Sequence, residues 1–187
     1  ARQVLVIALV YRASEGLVKA MEGPYLVDQG VPLDVIGYLS GGAAATAGLA
    51  GSALAAALAL RLGVGRVLTL LGLLRTLCFL IFAFHAFGLA TGHPVLFGAA
   101  AFQTLIRYME IVALYSLFMG VSSSDQPGTD FTILACAQLV VYLAGASISG
   151  ILADGLGYGP LFTLAAGLSL VASLAIAPLV ARSQHGR

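Results

Sequence analysis

Charge is what this sequence has least of: 9% of its 187 residues are Asp, Glu, Lys or Arg. A water-soluble domain carries about a quarter, so this chain cannot cover a surface against water. With 60% hydrophobic residues and a mean hydropathy of +1.01, its expected solvent is lipid. The net charge of +1 leaves no basic patch for phosphates, which argues against a nucleic-acid partner. Cysteine is scarce as well. Cys78 and Cys136 each lie inside an apolar run, read as free buried thiols and set no redox compartment. There is no metal-ligand spacing, no Gly-Lys-Ser/Thr phosphate loop and no nucleophile elbow. The Ser-His pair, paired aspartates or His-Glu-x-x-His of an intramembrane enzyme are missing too. No metal, cofactor or catalytic residue is expected.

What is present is a series of long apolar runs. Crossing the hydrocarbon core takes about 20 residues of helix, and six runs qualify: about 4–27, 33–60, 67–90, 95–120, 131–153 and 161–181. Short connectors rich in turn residues separate them ("DQGVPLD", "RLGVGR", "TGHP", "SSSDQPGTD" and "DGLGYGP"). The expected fold class is an all-α integral membrane protein, one six-helix domain over 1–187 with both termini on one side. Arg2, Arg61, Arg66, Arg182 and Arg187 share the side of the termini, whereas the opposite connectors hold Asp28, Asp34, His93 and Asp154 with no Lys or Arg. The positive-inside rule then makes both termini cytoplasmic. The run Val4 to Val10 has no small-residue cleavage site behind it, so it does not read as a secretory signal; the chain reads as part of something larger. Gly37, Gly41 and Gly48 in the second span, and Gly145 and Gly150 in the fifth, have the small-residue spacing that lets helices approach closely in lipid. That spacing fits static packing and helices that slide during a transport cycle equally well.

The few charges are concentrated. On a helix, Arg12, Glu15, Lys19 and Glu22 fall within an arc of roughly 80°. Their alternating signs at i,i+3 and i,i+4 spacings can pair along the helix. At about 1.5 Å per residue, Arg12 and Glu15 sit near mid-membrane and Glu22 near the far surface. An intramembrane charge costs at least about 2.5–3.5 kcal/mol, so such residues face a bundle interior or a watery cavity. A second set occupies the fourth span, where Gln103, Arg107, Tyr108 and Glu110 lie within two turns. Arg75 enters the third span from the cytoplasmic side and either snorkels or joins them. Arg12, Lys19, Arg75 and Arg107 against Glu15, Glu22 and Glu110 leave a positive excess, which suits an anionic substrate. The duller alternatives are snorkelling for Lys19 with Glu22, and a structural lock for Arg107 with Glu110. His85 reads as a hydrogen-bonded helix residue, and His93 and His185 as loop and tail residues. Tyr25, Tyr38 and Tyr158 fit an interfacial belt, and Tyr11, Tyr108, Tyr115 and Tyr142 lie deeper.

Three stretches carry a family resemblance. "GSALAAALALRLGVGR" (Gly51 to Arg66) resembles the degenerate second copy of the signature loop of the major facilitator superfamily. Arg61, Gly63, Gly65 and Arg66 match its core, and Leu60 stands where the family has an Asp. "GILADGLGYGPLF" (Gly150 to Phe162) resembles the connection between that fold's last two helices. "SSSDQPGTDFTILACAQ" (Ser122 to Gln138) is most similar to the muropeptide permease-like group, and within it to inner-membrane siderophore permeases of the rhizobactin and pyochelin type. The resemblance implies the C-terminal half of a 12-helix transporter in a bacterial inner membrane, with a second six-helix half as partner. It implies proton-coupled uptake of a ferric siderophore by alternating access, with a muropeptide or other amphiphilic solute as the alternative. Arg12, Glu15, Lys19, Gln103, Arg107, Tyr108 and Glu110 would then line the cavity, with Glu15 or Glu110 carrying the coupling proton or balancing the arginines, and Arg61, Gly63, Gly65 and Arg66 would form a cytoplasmic gate. A six-helix membrane protein with a structural or assembly role is the rival from another class.

Overall fold

The computed structural model describes residues 2–89, 92–122 and 125–184, with side chains described for 9–89, 92–122 and 125–176. No strand occurs among the described residues. The helices are α1 (Arg2–Asp28), α2 (Leu33–Ser40), α3 (Gly42–Leu62), α4 (Val64–Ala86), α5 (His93–Val121), α6 (Pro127–Leu156) and α7 (Tyr158–Gln184). The expected second span is thus two helices, interrupted at Gly41. Its amide still bonds Gly37 O at 2.9 Å and its carbonyl still accepts from Ala45, so the interruption is a bend in one rod. Among the described residues, five segments are long and apolar enough to cross a membrane: Leu33–Leu62, Val64–Ala86, His93–Val121, Pro127–Leu156 and Tyr158–Ile176. α1 is 27 residues long but carries the charged stripe, and from Tyr11 to Val18 it is nearly all buried. Burial inside the bundle is what allows charges along this helix.

The helices pair in a pattern that repeats. α1 packs mainly on α6 and α7, while α5 packs mainly on α3 and α4, and α4 and α7 pack on each other. Exchanging the first three spans (α1, α2 with α3, α4) for the last three (α5, α6, α7) reproduces this list. The close approaches repeat as well. A Cβ at Gly145 would lie 2.8 Å from Ala13 O, and one at Gly51 would lie 3.2 Å from Leu105 O. Gly145 and Gly51 occupy equivalent places, α6 against α1 and α3 against α5, 94 positions apart.

The junctions follow the same rule. One residue, Gly63, separates α3 from α4, and one residue, Gly157, separates α6 from α7. Their φ angles are +82° and +83°, a backbone region that side chains disfavour and glycine enters freely. Around them a sequence recurs: Leu58, Ala59, Leu62, Gly63 and Gly65 return 94 positions on as Leu152, Ala153, Leu156, Gly157 and Gly159. The described helices therefore fall into two repeats, α1–α4 and α5–α7, with α1 and α5 in equivalent places.

Two hydrophobic clusters stabilise the bundle at different levels. Toward the α1–α2 turn, Tyr25 meets Phe82 and Phe162 edge to face, and those two rings pack tilted against each other, at centroid separations of 5.2 to 6.4 Å. Toward the α3–α4 turn, Val67, Leu71, Ile106, Ala113 and Phe118 pack together. Tyr25, expected at an interface, is 1% exposed, because Tyr158 covers it. Both cysteines are free, with Cys78 buried and Cys136 exposed.

Candidate functional site

Among the described residues, three groups of charged side chains occupy the interior. The first balances its charges, although Arg75 Nη2 has no partner among the described residues. Arg75 of α4 meets Glu110 of α5 at 3.0 Å, and the other Glu110 oxygen accepts from Tyr11 Oη of α1 at 2.5 Å. The Arg75 guanidinium lies 3.7 Å from the Tyr11 ring centroid, within cation–π range. Its Nε donates to Ser169 Oγ of α7 at 3.1 Å, and Thr76 Oγ1 donates to the same hydroxyl at 2.9 Å. Arg75, Glu110 and Tyr11 are each at most 1% exposed. One cation and one anion, held by groups from four helices, make a neutral knot.

The second group is not neutral. Glu15 of α1 pairs with Arg12 one turn earlier on the same helix and with Arg107 of α5, whose Nε lies 2.8 Å from its Oε1. The Arg107 contact is an ion pair without hydrogen-bond alignment, since neither atom finds a directed partner. Both guanidiniums flank one ring, Tyr142 of α6, at 5.2 Å for Arg12 and 5.9 Å for Arg107. Gly16 sets this spacing: a Cβ there would collide with the Tyr142 carbonyl oxygen. Two cations against one anion leave one positive charge over. The third group, Lys19 with Glu22 at 2.8 Å on α1, is again neutral, and the Lys19 side chain is 22% exposed.

Of the residues singled out from sequence, Arg12, Glu15, Gln103, Arg107 and Glu110 face the interior, divided differently from expectation. Glu110 does not pair with Arg107. The two stand three residues apart on α5, about 60° around the helix, and different helices meet them: α4 brings Arg75 to Glu110, and α1 brings Glu15 to Arg107. Glu15 likewise reaches across to Arg107 rather than along α1 to Lys19. Tyr108 is not at the site: its ring faces α3, where a Cβ on Gly48 would meet it at 3.6 Å. Arg75 does not snorkel, being held in the neutral knot.

The predicted packing glycines also divide. Gly145 and Gly48 sit at helix contacts, Gly41 at the bend, and Gly37 and Gly150 have open space around them, because they lie on exposed or half-buried faces. In the α3–α4 junction, Gly63 makes the turn, Gly65 is buried, and Arg61 and Arg66 are exposed with no ion pair among the described residues. His85 bonds Tyr25 Oη at 2.8 Å, and His93 begins α5, within 3.1 Å of Gln29 O. The side chains of Arg2 and Arg182 and the residues His185 and Arg187 lie outside the described residues.

Sequence reading passed over Gln138 and left Tyr142 undecided. Gln138 is 3% exposed and its Oε1 has no partner among the described residues. It stands one turn before Tyr142 on α6, as Gln103, 2% exposed with an unpartnered amide, stands one turn before Arg107 on α5. A buried polar group without a partner costs about 1–3 kcal/mol, and these two each stand one turn from a residue of the Arg107 group; Arg75 Nη2 and Glu22 Oε2 in the other groups are unpartnered as well. The available signal was the i,i+4 spacing of Gln138 and Tyr142 in a span otherwise made of apolar and small residues.

The whole is an all-helical protein with apolar membrane-length helices around a buried, positively charged centre. No family model matches the chain.

Proposed function

We propose that this chain is one half of a secondary active transporter of the major facilitator type, working by alternating access on an anionic solute. The observation that carries the reading is the single uncompensated positive charge of Arg12, Glu15 and Arg107, between α1 and α5. Those two helices are the equivalent members of the two repeats. Repeats of three spans enter a membrane with opposite topology, and transporters built this way bind substrate near the midplane at the repeat interface. A second six-helix half is the partner that would complete the cavity. α3 and α6, the least buried of the apolar helices, are the faces available to it.

The resemblance of Ser122 to Gln138 points to a ferric siderophore as cargo, with a muropeptide as the alternative. The Lys/Arg asymmetry supports cytoplasmic termini in a bacterial inner membrane. In this reading Arg107 and Arg12 attract the solute, and Glu15 balances them or carries the coupling proton. Glu110 plays another part. Locked to Arg75 and Tyr11, it holds α1, α4 and α5 together. A static assembly protein would pair all its interior charges. The Arg75 group meets that condition and the Arg107 group does not.

The test is uptake of a radiolabelled ferric siderophore into cells carrying the intact gene, with and without a protonophore, repeated with Glu15→Gln and Arg107→Ala. Collapse of uptake with protonophore and in both variants is expected. Uptake indifferent to both substitutions makes the charges structural and ends the proposal.

A further inference from the structure

The backbones of α1 and α5 barely touch. Among the described residues two side-chain ties cross between them, and they are unequal. Tyr11 to Glu110 is a 2.5 Å hydrogen bond inside the neutral knot, with both residues fully buried. Glu15 to Arg107 lacks hydrogen-bond alignment, and the Arg107 side chain is 27% exposed. If the second tie is released, Glu15 keeps Arg12 as its partner, so no carboxylate is orphaned. What is left is a guanidinium, beside the Tyr142 ring, with the Gln103 amide one turn away on the same helix. Guanidinium presents a planar fork of donors that suits a carboxylate.

Resting on the transport reading, we propose that Arg107 is a carboxylate-exchange site: a monoanionic carboxylate of the ligand replaces Glu15 on Arg107 and thereby unties α1 from α5. The charge balance selects the ligand. With Arg12 paired to Glu15 and Arg107 paired to the incoming carboxylate, the group becomes neutral. A neutral amide leaves the positive charge unmet, and a dianion overshoots it. Tyr142 gives the ligand an aromatic wall, and Gln103 supplies an amide for uncharged polar atoms beside the carboxylate.

The probe is benzoate, titrated calorimetrically into the full-length protein in detergent micelles, with benzamide and phthalate as the neutral and dianionic controls. Benzoate is expected to bind, benzamide not to register, and phthalate to bind at least about tenfold more weakly. Glu15→Gln removes the internal competitor, so benzoate affinity rises at least about tenfold, and Arg107→Gln abolishes it. A measurement without substitutions stands beside this: phenylglyoxal modification of Arg107, read by peptide mass, slows in benzoate and not in benzamide. Equal binding of benzoate and benzamide overturns the exchange site. So does a folded Glu15→Gln protein with no gain in affinity, or an Arg107 that benzoate leaves unprotected. Benzoate results as expected with no siderophore uptake retain the anion site and reject that cargo. Uptake with no protection of Arg107 rejects the exchange site alone.

Discussion

Gly145 offers the most direct test of the geometry that holds the charged centre. A Cβ at this position would lie 2.8 Å from the carbonyl oxygen of Ala13. A carbon approaches a carbonyl oxygen comfortably at about 3.3–3.6 Å, so Gly145→Ala must part α6 from α1 by about half an ångström. The atom in the way is backbone in mid-helix, so no side chain can swing aside. Overpacking of this kind costs about 1–3 kcal/mol. Tyr142, one turn earlier on α6, moves outward with its helix, and its 5.2 Å separation from Arg12 drifts toward the roughly 6 Å limit of cation–π attraction. Gly150→Ala is the matched control, since nothing lies within 4 Å of a Cβ there, and alanine is the better helix former. Unfolding in mixed micelles should separate the two: Gly145→Ala loses about 1–3 kcal/mol, and Gly150→Ala stays within about 0.5 kcal/mol of the parent. Equal losses in both would refute the claim that α1 and α6 meet through Gly145.

Other outcomes follow from the same packing. Truncating Arg75 to Leu leaves Glu110 buried beside Tyr11 without its cation and should cost about 3–5 kcal/mol. Adding Glu110→Leu should restore much of that loss, a coupling that a double-mutant cycle measures directly. Gly63→Ala and Gly157→Ala each force a side chain into a backbone region used almost only by glycine, at about 1–3 kcal/mol; two unequal losses would count against the repeat. Tyr25→Phe removes the hydrogen bond to His85 in a packed aromatic cluster and should lower stability by about 1 kcal/mol in the same assay.

Much of this was readable in the residues. The spans show because membrane-length helices must be apolar for about 20 residues, and the stripe on α1 shows because charges three and four apart share a helix face. Partner choice was not readable. Glu110 and Arg107 lie close in sequence, yet each is claimed by a helix whose place in the bundle is set by packing elsewhere. Gly37 and Gly145 share the small-xxx-small spacing, with Gly41 and Ser149 four residues on; only the bundle distinguishes an outer face from a contact. The bend falls at Ser40-Gly41-Gly42, residues that weaken a helix but that also suit close helix packing in lipid, so their presence alone did not announce it. The recurrence of Leu-Ala-x-x-Leu-Gly-x-Gly was available in the sequence. It is weak because the residues between differ completely: Leu60 and Arg61 in one copy are Asp154 and Gly155 in the other.

The interleaving of the two repeats bears on how the chain is made. The extensive helix contacts run between repeats, whereas α1 with α2 and α3 with α4 meet only lightly. A ribosome that has delivered α1 to α4 has therefore delivered helices whose main partners do not yet exist. Buried arginines and glutamates on α1 and α4 must wait in the bilayer, or beside the insertion machinery, until α5 brings Glu110 and Arg107. Assembly is thus a late, collective event, timed by the arrival of the second triplet.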